Sequence, residues 1–105
     1  MKGITYLSFL VLFAVASHAY AQEAGDPARG LGLAQQVCSE CHAVLRGELR
    51  ALNSKAPTFA ELASTPGMTS TALLVALTAP HAGMPMFGLT AEERANVIAY
   101  ILSLQ

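Results

Sequence analysis

The chain has 105 residues with a formal charge of −1, and 53% of its residues are apolar while 12% are charged. This length holds one small domain and excludes a multidomain enzyme. If residues 1–21 are removed as a signal peptide, the remaining 84 residues have a formal charge of −2. That acidic balance argues against nucleic-acid binding, which needs a basic excess.

Residues 1–21 have the pattern of a secretory signal peptide. Lys2 is followed by an uncharged stretch that ends in Ala19-Tyr20-Ala21, a cleavage site of small residues. The apolar run from Leu7 to Ala16 is shorter than a typical membrane span. We therefore expect cleavage after Ala21, a mature domain at residues 22–105 and a periplasmic location. An uncleaved N-terminal anchor is the alternative.

Asp26 and Pro27 predict the start of a helix that runs to about Cys41, because aspartate is a good N-cap and proline suits the first helical position. Gly30 and Gly32 lie inside this helix, where each costs about 1 kcal/mol relative to alanine. We expect another backbone to pass close to at least one of them. Simple tolerance of glycine near a frayed helix end is the alternative.

The segment Cys38-Ser39-Glu40-Cys41-His42 has the attachment pattern of haem c. One helical turn between the cysteines lets each sulfur reach one haem vinyl group, while His42 points at the iron. A disulfide or redox-active pair and half of a zinc site are the alternatives. Zinc lacks a second pair of ligands here, and the chain shows no βαβ setting for a thioredoxin-like pair.

The segment after the motif, residues 43–58, is predicted to be a loop because it is rich in turn-forming residues. The loop contains three cations, Arg46, Arg50 and Lys55. We expect them on a solvated face; the alternative is that one of them neutralises the haem propionates. A short helical turn is predicted at Phe59–Ala63.

Two longer helices are predicted after this turn. Thr69 caps a helix over about residues 70–78, which is apolar on every side and is therefore expected to be buried. Thr90 and Glu93 form a capping box before a last helix that ends near Ser103. No strand pattern is present, so the predicted class is all-α. Aromatic core residues are scarce, since residues 22–105 hold no Trp, one Tyr and two Phe, and a haem is expected to fill the core.

The loop between these helices holds the candidates for a second iron ligand, which are His81, Met84 and Met86. Met84 is favoured because Gly83 lets the backbone come close and Pro85 stiffens it. Met68, which precedes a helix cap, is expected to fill the core or the surface.

From about Gly25 to Leu104 the chain resembles the class I cytochromes c. The shared features are a glycine eight residues before the first cysteine (Gly30), the Cys-x-x-Cys-His motif, a proline-containing loop, a Met-Pro loop and a final helix with Ala99-Tyr100. The resemblance implies about four helices around one covalent haem c, with the first and last helices crossing near Gly30 and Tyr100. The chain departs from many members at Ala34, where they have an aromatic residue.

The resemblance also implies the site. Cys38 and Cys41 would hold the haem, His42 and Met84 would be the axial ligands of its iron, and the carbonyl of Pro57 would accept the Nδ1 proton of His42.

A one-electron carrier, not an enzyme, is the function that the resemblance implies, because a six-coordinate iron has no open position for a substrate. Its partners would be a redox donor and acceptor, bound transiently by a monomer without nucleic acid or stable membrane anchoring. The lysine ring with which mitochondrial relatives dock is missing, so we expect weak electrostatic steering. The alternatives are a haem subunit tied to one oxidoreductase, and a gas-binding or peroxidase-like protein with a labile sixth ligand.

Overall fold

The computed structural model describes residues 24–79 and 81–105, so the predicted signal peptide and its cleavage site lie outside the described residues. The described chain forms four α-helices and a short 3-10 helix: α1 (Pro27–Val37), the 3-10 helix (Cys38–Glu40), α2 (Phe59–Ser64), α3 (Ser70–Thr78) and α4 (Ala91–Leu102). No strand forms in this part of the chain, where the one bridge pairs His81 with Met84. The predicted all-α class is confirmed.

The helices begin where the sequence predicts. The carboxylate of Asp26 accepts hydrogen bonds from the N–H groups at the start of α1, and Thr69 caps α3 in the same way. Thr90 and Glu93 form the predicted capping box of α4, with a hydrogen bond in each direction. These caps satisfy N–H groups that have no partner within the helix, which fixes the first turn of each.

The first helix ends earlier than predicted. We expected it to run to about Cys41, but α1 ends at Val37 and the chain tightens into the 3-10 helix. The N–H groups of Cys41 and His42 both donate to the carbonyl of Cys38, at 3.1 and 2.9 Å. The haem-attachment motif therefore forms a compact turn after α1 instead of continuing it.

α1 and α4 cross in close contact at Gly30. A Cβ atom on Gly30 would overlap the backbone carbonyl of Asn96 and lie 2.8 Å from the Cβ of Tyr100. The amide oxygen of Asn96 also accepts a hydrogen bond from the N–H of Asp26 at 2.8 Å. Gly30 is thus the predicted point of close backbone approach, whereas a Cβ on Gly32 would meet nothing within 4 Å.

The core lies between α1, α4 and the segments that connect them. Ala34 is fully buried in it, and the Tyr100 ring has Phe59 of α2 as its aromatic neighbour, with ring centroids 6.2 Å apart. The buried core residues are Ala34, Val44, Phe59, Ala63, Leu73, Val97, Ile98, Tyr100 and Ile101. Other apolar side chains pack against this core but stay partly exposed: Leu31, Leu33, Leu62, Met68, Leu74, Leu77, Leu102 and Leu104.

The expectation that α3, being apolar on every side, is buried is wrong. Leu73 is its one buried residue, whereas Val75 is 57% exposed. α3 packs against α4, and a helix with one main neighbour buries one side whatever the composition of the others.

Within the described residues no helix is long and apolar enough to cross a membrane.

Candidate haem site

The turn at Cys38–His42 brings the two cysteines and the histidine together. Cys38 donates its backbone N–H to Ala34 at the end of α1, which fixes the start of the turn on the core helix. The hydrogen bonds from Cys41 and His42 to the Cys38 carbonyl then close the turn. Two thiols and an imidazole are thereby presented from a single short segment.

Both cysteines are free thiols and are partly exposed. Cys38 also packs against the apolar core, and this burial raises the pKa of its thiol above the usual value. The thiol is therefore neutral at physiological pH. No group of three metal-ligating side chains forms among the described residues.

The imidazole of His42 is oriented by Pro57. Its Nδ1 lies 2.6 Å from the carbonyl oxygen of Pro57. Because a carbonyl oxygen can only accept, Nδ1 carries the proton, and in the neutral ring Nε2 is then the nitrogen whose lone pair can bind a metal. This is the contact that the resemblance to the class I cytochromes c implies.

Pro57 is held in place by the helix that follows it. The side chain of Thr58 accepts a hydrogen bond from the N–H of Glu61, and the carboxylate of Glu61 accepts one from the N–H of Thr58 at 2.7 Å. The N–H of Phe59 also donates to the carbonyl of Ala43, next to His42. The capping box of α2 thus fixes the acceptor that orients the imidazole.

Aromatic side chains link the imidazole to the core. The rings of His42 and Phe59 have centroids 5.4 Å apart, and Phe59 in turn packs on Tyr100. The Tyr100 hydroxyl donates to the carbonyl of Val44 at 2.6 Å in a buried position. α4 is therefore tied to the chain two residues after His42, which restricts the movement of the imidazole.

The candidates for a second iron ligand belong to a separate turn. The N–H of Met84 donates to the carbonyl of His81 at 3.4 Å, and Gly83 has a φ of +80°, a conformation that favours glycine. Met84 is half-buried, whereas His81 is exposed and Met86 is 54% exposed. Met68 packs against the core, as expected for a filling residue. The hydrogen bonds of the site join Cys38, Cys41, His42 and Pro57 but do not include this turn.

The capping box of α2 was not predicted, although Thr58-Phe59-Ala60-Glu61 has its pattern. The contact of Asn96 with Asp26 was not predicted either, because it joins residues 70 positions apart and leaves no local signal.

Comparison with known proteins identifies the family. Residues 25–101 match the family model described as cytochrome c oxidase, cbb3-type, subunit III. The chain is also 37% identical, over 95 residues, to cytochrome c-552 of Bradyrhizobium diazoefficiens, and the match covers 90% of each chain. No solved structure matches the chain. The chain belongs to the class I monohaem cytochrome c family, and it is a c-type cytochrome whose cofactor is a covalently bound haem with one iron.

The residues present fit this cofactor. Covalent attachment needs two free thiols one turn apart, and Cys38 and Cys41 meet that requirement. Iron needs an imidazole nitrogen with a free lone pair, which the hydrogen bond from His42 to Pro57 leaves at Nε2. The partly exposed apolar side chains around the core suit a large apolar macrocycle. A family member of this kind transfers electrons.

Proposed function

We propose that this protein is a periplasmic one-electron shuttle with His/Met iron ligation. In this proposal the haem is held by thioether bonds to Cys38 and Cys41, and its iron is bound by His42 and Met84. The observation that carries the proposal is that His42, whose Nδ1 contacts the carbonyl of Pro57, lies on the same turn as both free thiols.

The haem supplies reversible Fe(II)/Fe(III) chemistry when it is bound, and the chain sets the conditions for it. Pro57 holds the imidazole of His42 in one tautomer and orientation, so the ligand does not rearrange between oxidation states. Contact with Phe59, itself anchored to Tyr100, restricts rotation of the ring. A fixed ligand keeps the reorganisation between the two oxidation states small.

Met84 is the proposed second ligand because it combines partial burial with a fixed backbone. A thioether that binds iron must be shielded from water, and Met84 is more buried than Met86 or His81. The positive φ of Gly83 and the bridge from His81 to Met84 set the path of the turn. Methionine ligation raises the reduction potential relative to two histidines.

The ligand assignment is tested by comparing Met84→Ala with Met86→Ala in the oxidised holoprotein. We expect Met84→Ala to abolish the weak far-red sulfur-to-iron absorption and to lower the reduction potential, while the matched control Met86→Ala keeps both. The reverse result would show that Met86 is the ligand. Rapid and complete binding of carbon monoxide by the reduced wild-type protein at neutral pH would contradict six-coordinate iron and favour a gas-binding function.

The periplasmic location rests on the predicted signal peptide, and the protein's membership of the c-type cytochromes is consistent with it. We propose that cleavage after Ala21 releases a mature monomer that begins at Gln22. Mass spectrometry of the protein from a periplasmic fraction measures this end directly. An intact N-terminus recovered with the membrane would show that the segment is retained as an anchor.

A second candidate function is that of a haem subunit held by one oxidoreductase, favoured by the family model, whose description is that of an oxidase subunit. Size-exclusion chromatography of a native extract separates the two functions. A shuttle elutes as a monomer, whereas a subunit elutes with a larger complex.

A further inference from the structure

The loop between the haem-attachment turn and α2 carries the most exposed large apolar side chains among the described residues. Leu49 is 89% exposed and Leu52 is 84% exposed. Backbone hydrogen bonds order this loop, since the N–H of Glu48 donates to Leu45 at 3.2 Å and the N–H of Asn53 donates to Cys41 at 3.1 Å. Two leucines are thus held in water by a defined backbone, which is typical of a contact surface.

The same loop concentrates positive charge. Residues 45–55 have a formal charge of +2, whereas the remaining described residues have a formal charge of −3. Arg46 donates to the carbonyl of Ser103 at 2.9 Å, which ties the loop to the end of α4. Neither Arg50 nor Lys55 takes part in an ion pair within the described chain. Their charges therefore lie free beside the exposed leucines.

The loop is also joined directly to the proposed site. Asn53, which follows Leu52, donates its N–H to the carbonyl of Cys41, one of the two proposed haem-attachment residues. A partner protein bound at Leu52 is therefore separated from Cys41 only by the Leu52–Asn53 peptide bond and one hydrogen bond. This short connection suits electron exchange through the loop.

We propose that residues 45–55 form the docking surface for a redox partner whose contact patch is acidic around an apolar centre. The proposal rests on the proposed electron-carrier function. An apolar centre with a charged rim is the usual composition of a protein interface, and weak redox contacts are small. An anionic membrane fits less well, because lipid recognition typically uses clusters of about 4–8 cations. The loop has three cations, and Arg46 is already engaged by Ser103.

The test measures second-order electron-transfer rates by stopped flow, with an acidic blue copper protein as the probe and a basic one for comparison. We expect Arg50→Gln to slow the reaction with the acidic probe about threefold at low ionic strength, an effect that fades as salt screens the charge. Leu52→Ser should slow it roughly fivefold at every ionic strength. Arg29→Gln and Val75→Ser are matched controls, because they change an exposed cation and an exposed apolar residue outside the loop.

Equal rates in the loop variants and the wild type, or equal losses in the controls, would overturn the docking surface. Sedimentation with phosphatidylglycerol vesicles that is lost in Leu52→Ser would overturn it in favour of a membrane. Self-association that is lost in the same variant would overturn it in favour of a second copy of the chain. A wild-type protein that exchanges electrons with neither probe contradicts the carrier function itself. If the wild type exchanges electrons normally and the loop variants react at the same rate, only the docking surface is contradicted.

Discussion

The crossing of α1 and α4 predicts opposite effects for the same substitution at two neighbouring glycines. Gly30→Ala places a methyl group against the carbonyl of Asn96 and 2.8 Å from the Cβ of Tyr100. Carbon atoms prefer separations of about 3.5–4.0 Å, so the helices must move apart by roughly 1 Å. Gly32→Ala meets nothing within 4 Å and gains the helix propensity of alanine.

The magnitude for Gly30→Ala follows from two opposing effects. Separating the helices weakens the packing of Ala34 and Val97 and the hydrogen bond from Asp26 to Asn96, a cost of about 2–4 kcal/mol. The better propensity of alanine offsets about 1 kcal/mol of this. We therefore expect Gly30→Ala to lower the free energy of unfolding by about 1–3 kcal/mol and Gly32→Ala to raise it by about 0.5–1 kcal/mol.

The assay is guanidinium unfolding of the two holoproteins, followed by far-ultraviolet circular dichroism. A shift of the midpoint at constant slope reports stability alone. If Gly30→Ala were as stable as the wild type, or if both variants shifted in the same direction, the close approach of the two helices would be refuted.

Further predictions concern Tyr100, the cysteines and ionic strength. Tyr100→Phe leaves the buried carbonyl of Val44 without its donor and should cost about 1–2 kcal/mol in the same unfolding assay. Burial raises the pKa of Tyr100, because the folded state favours the neutral phenol. The contribution of the neutral phenol to folding stability is complete below the pKa of the unfolded state and is lost as pH rises through the pKa of the folded state. Alkaline unfolding of the wild type and of Tyr100→Phe measures this loss. A Cys38→Ala, Cys41→Ala double variant should be largely unfolded without haem, and full native helicity by circular dichroism would contradict this. Because residues 22–105 have a formal charge of only −2, electron-transfer rates should change modestly with ionic strength, and a fall by orders of magnitude would contradict this.

Local signals account for most of the helical structure. Asp26, Thr69 and Thr90 begin their helices as predicted, because a cap depends on residues within one turn. The end of α1 was predicted less well, since the hydrogen bonds that close the turn after Cys38 have no distinctive residue signal. Burial of α3 was mispredicted because an apolar composition on every side does not say which neighbour covers which face.

The residues of the candidate haem site also differ in how well the sequence predicts them. The motif at Cys38, Cys41 and His42 is local, and its spacing alone indicates the chemistry. The contact of His42 with Pro57 spans 15 positions and entered only through the resemblance to a family. The role of Phe59 beside His42 had no sequence signal, because it depends on how α2 docks against α4. Met84 remains a prediction until its variants are compared.

The packing of the first helix on the last one determines when the fold can form during synthesis of the chain. α1 packs chiefly on α4, and Gly30 meets its contacts at Asn96 and Tyr100. The fold can therefore close only after α4, near the end of the described residues, has been synthesised. Until α4 is present, the turn that carries Cys38 and Cys41 lacks much of the apolar core against which Cys38 packs. The fold of this chain is therefore completed by its last helix and is not built up from its N-terminal end.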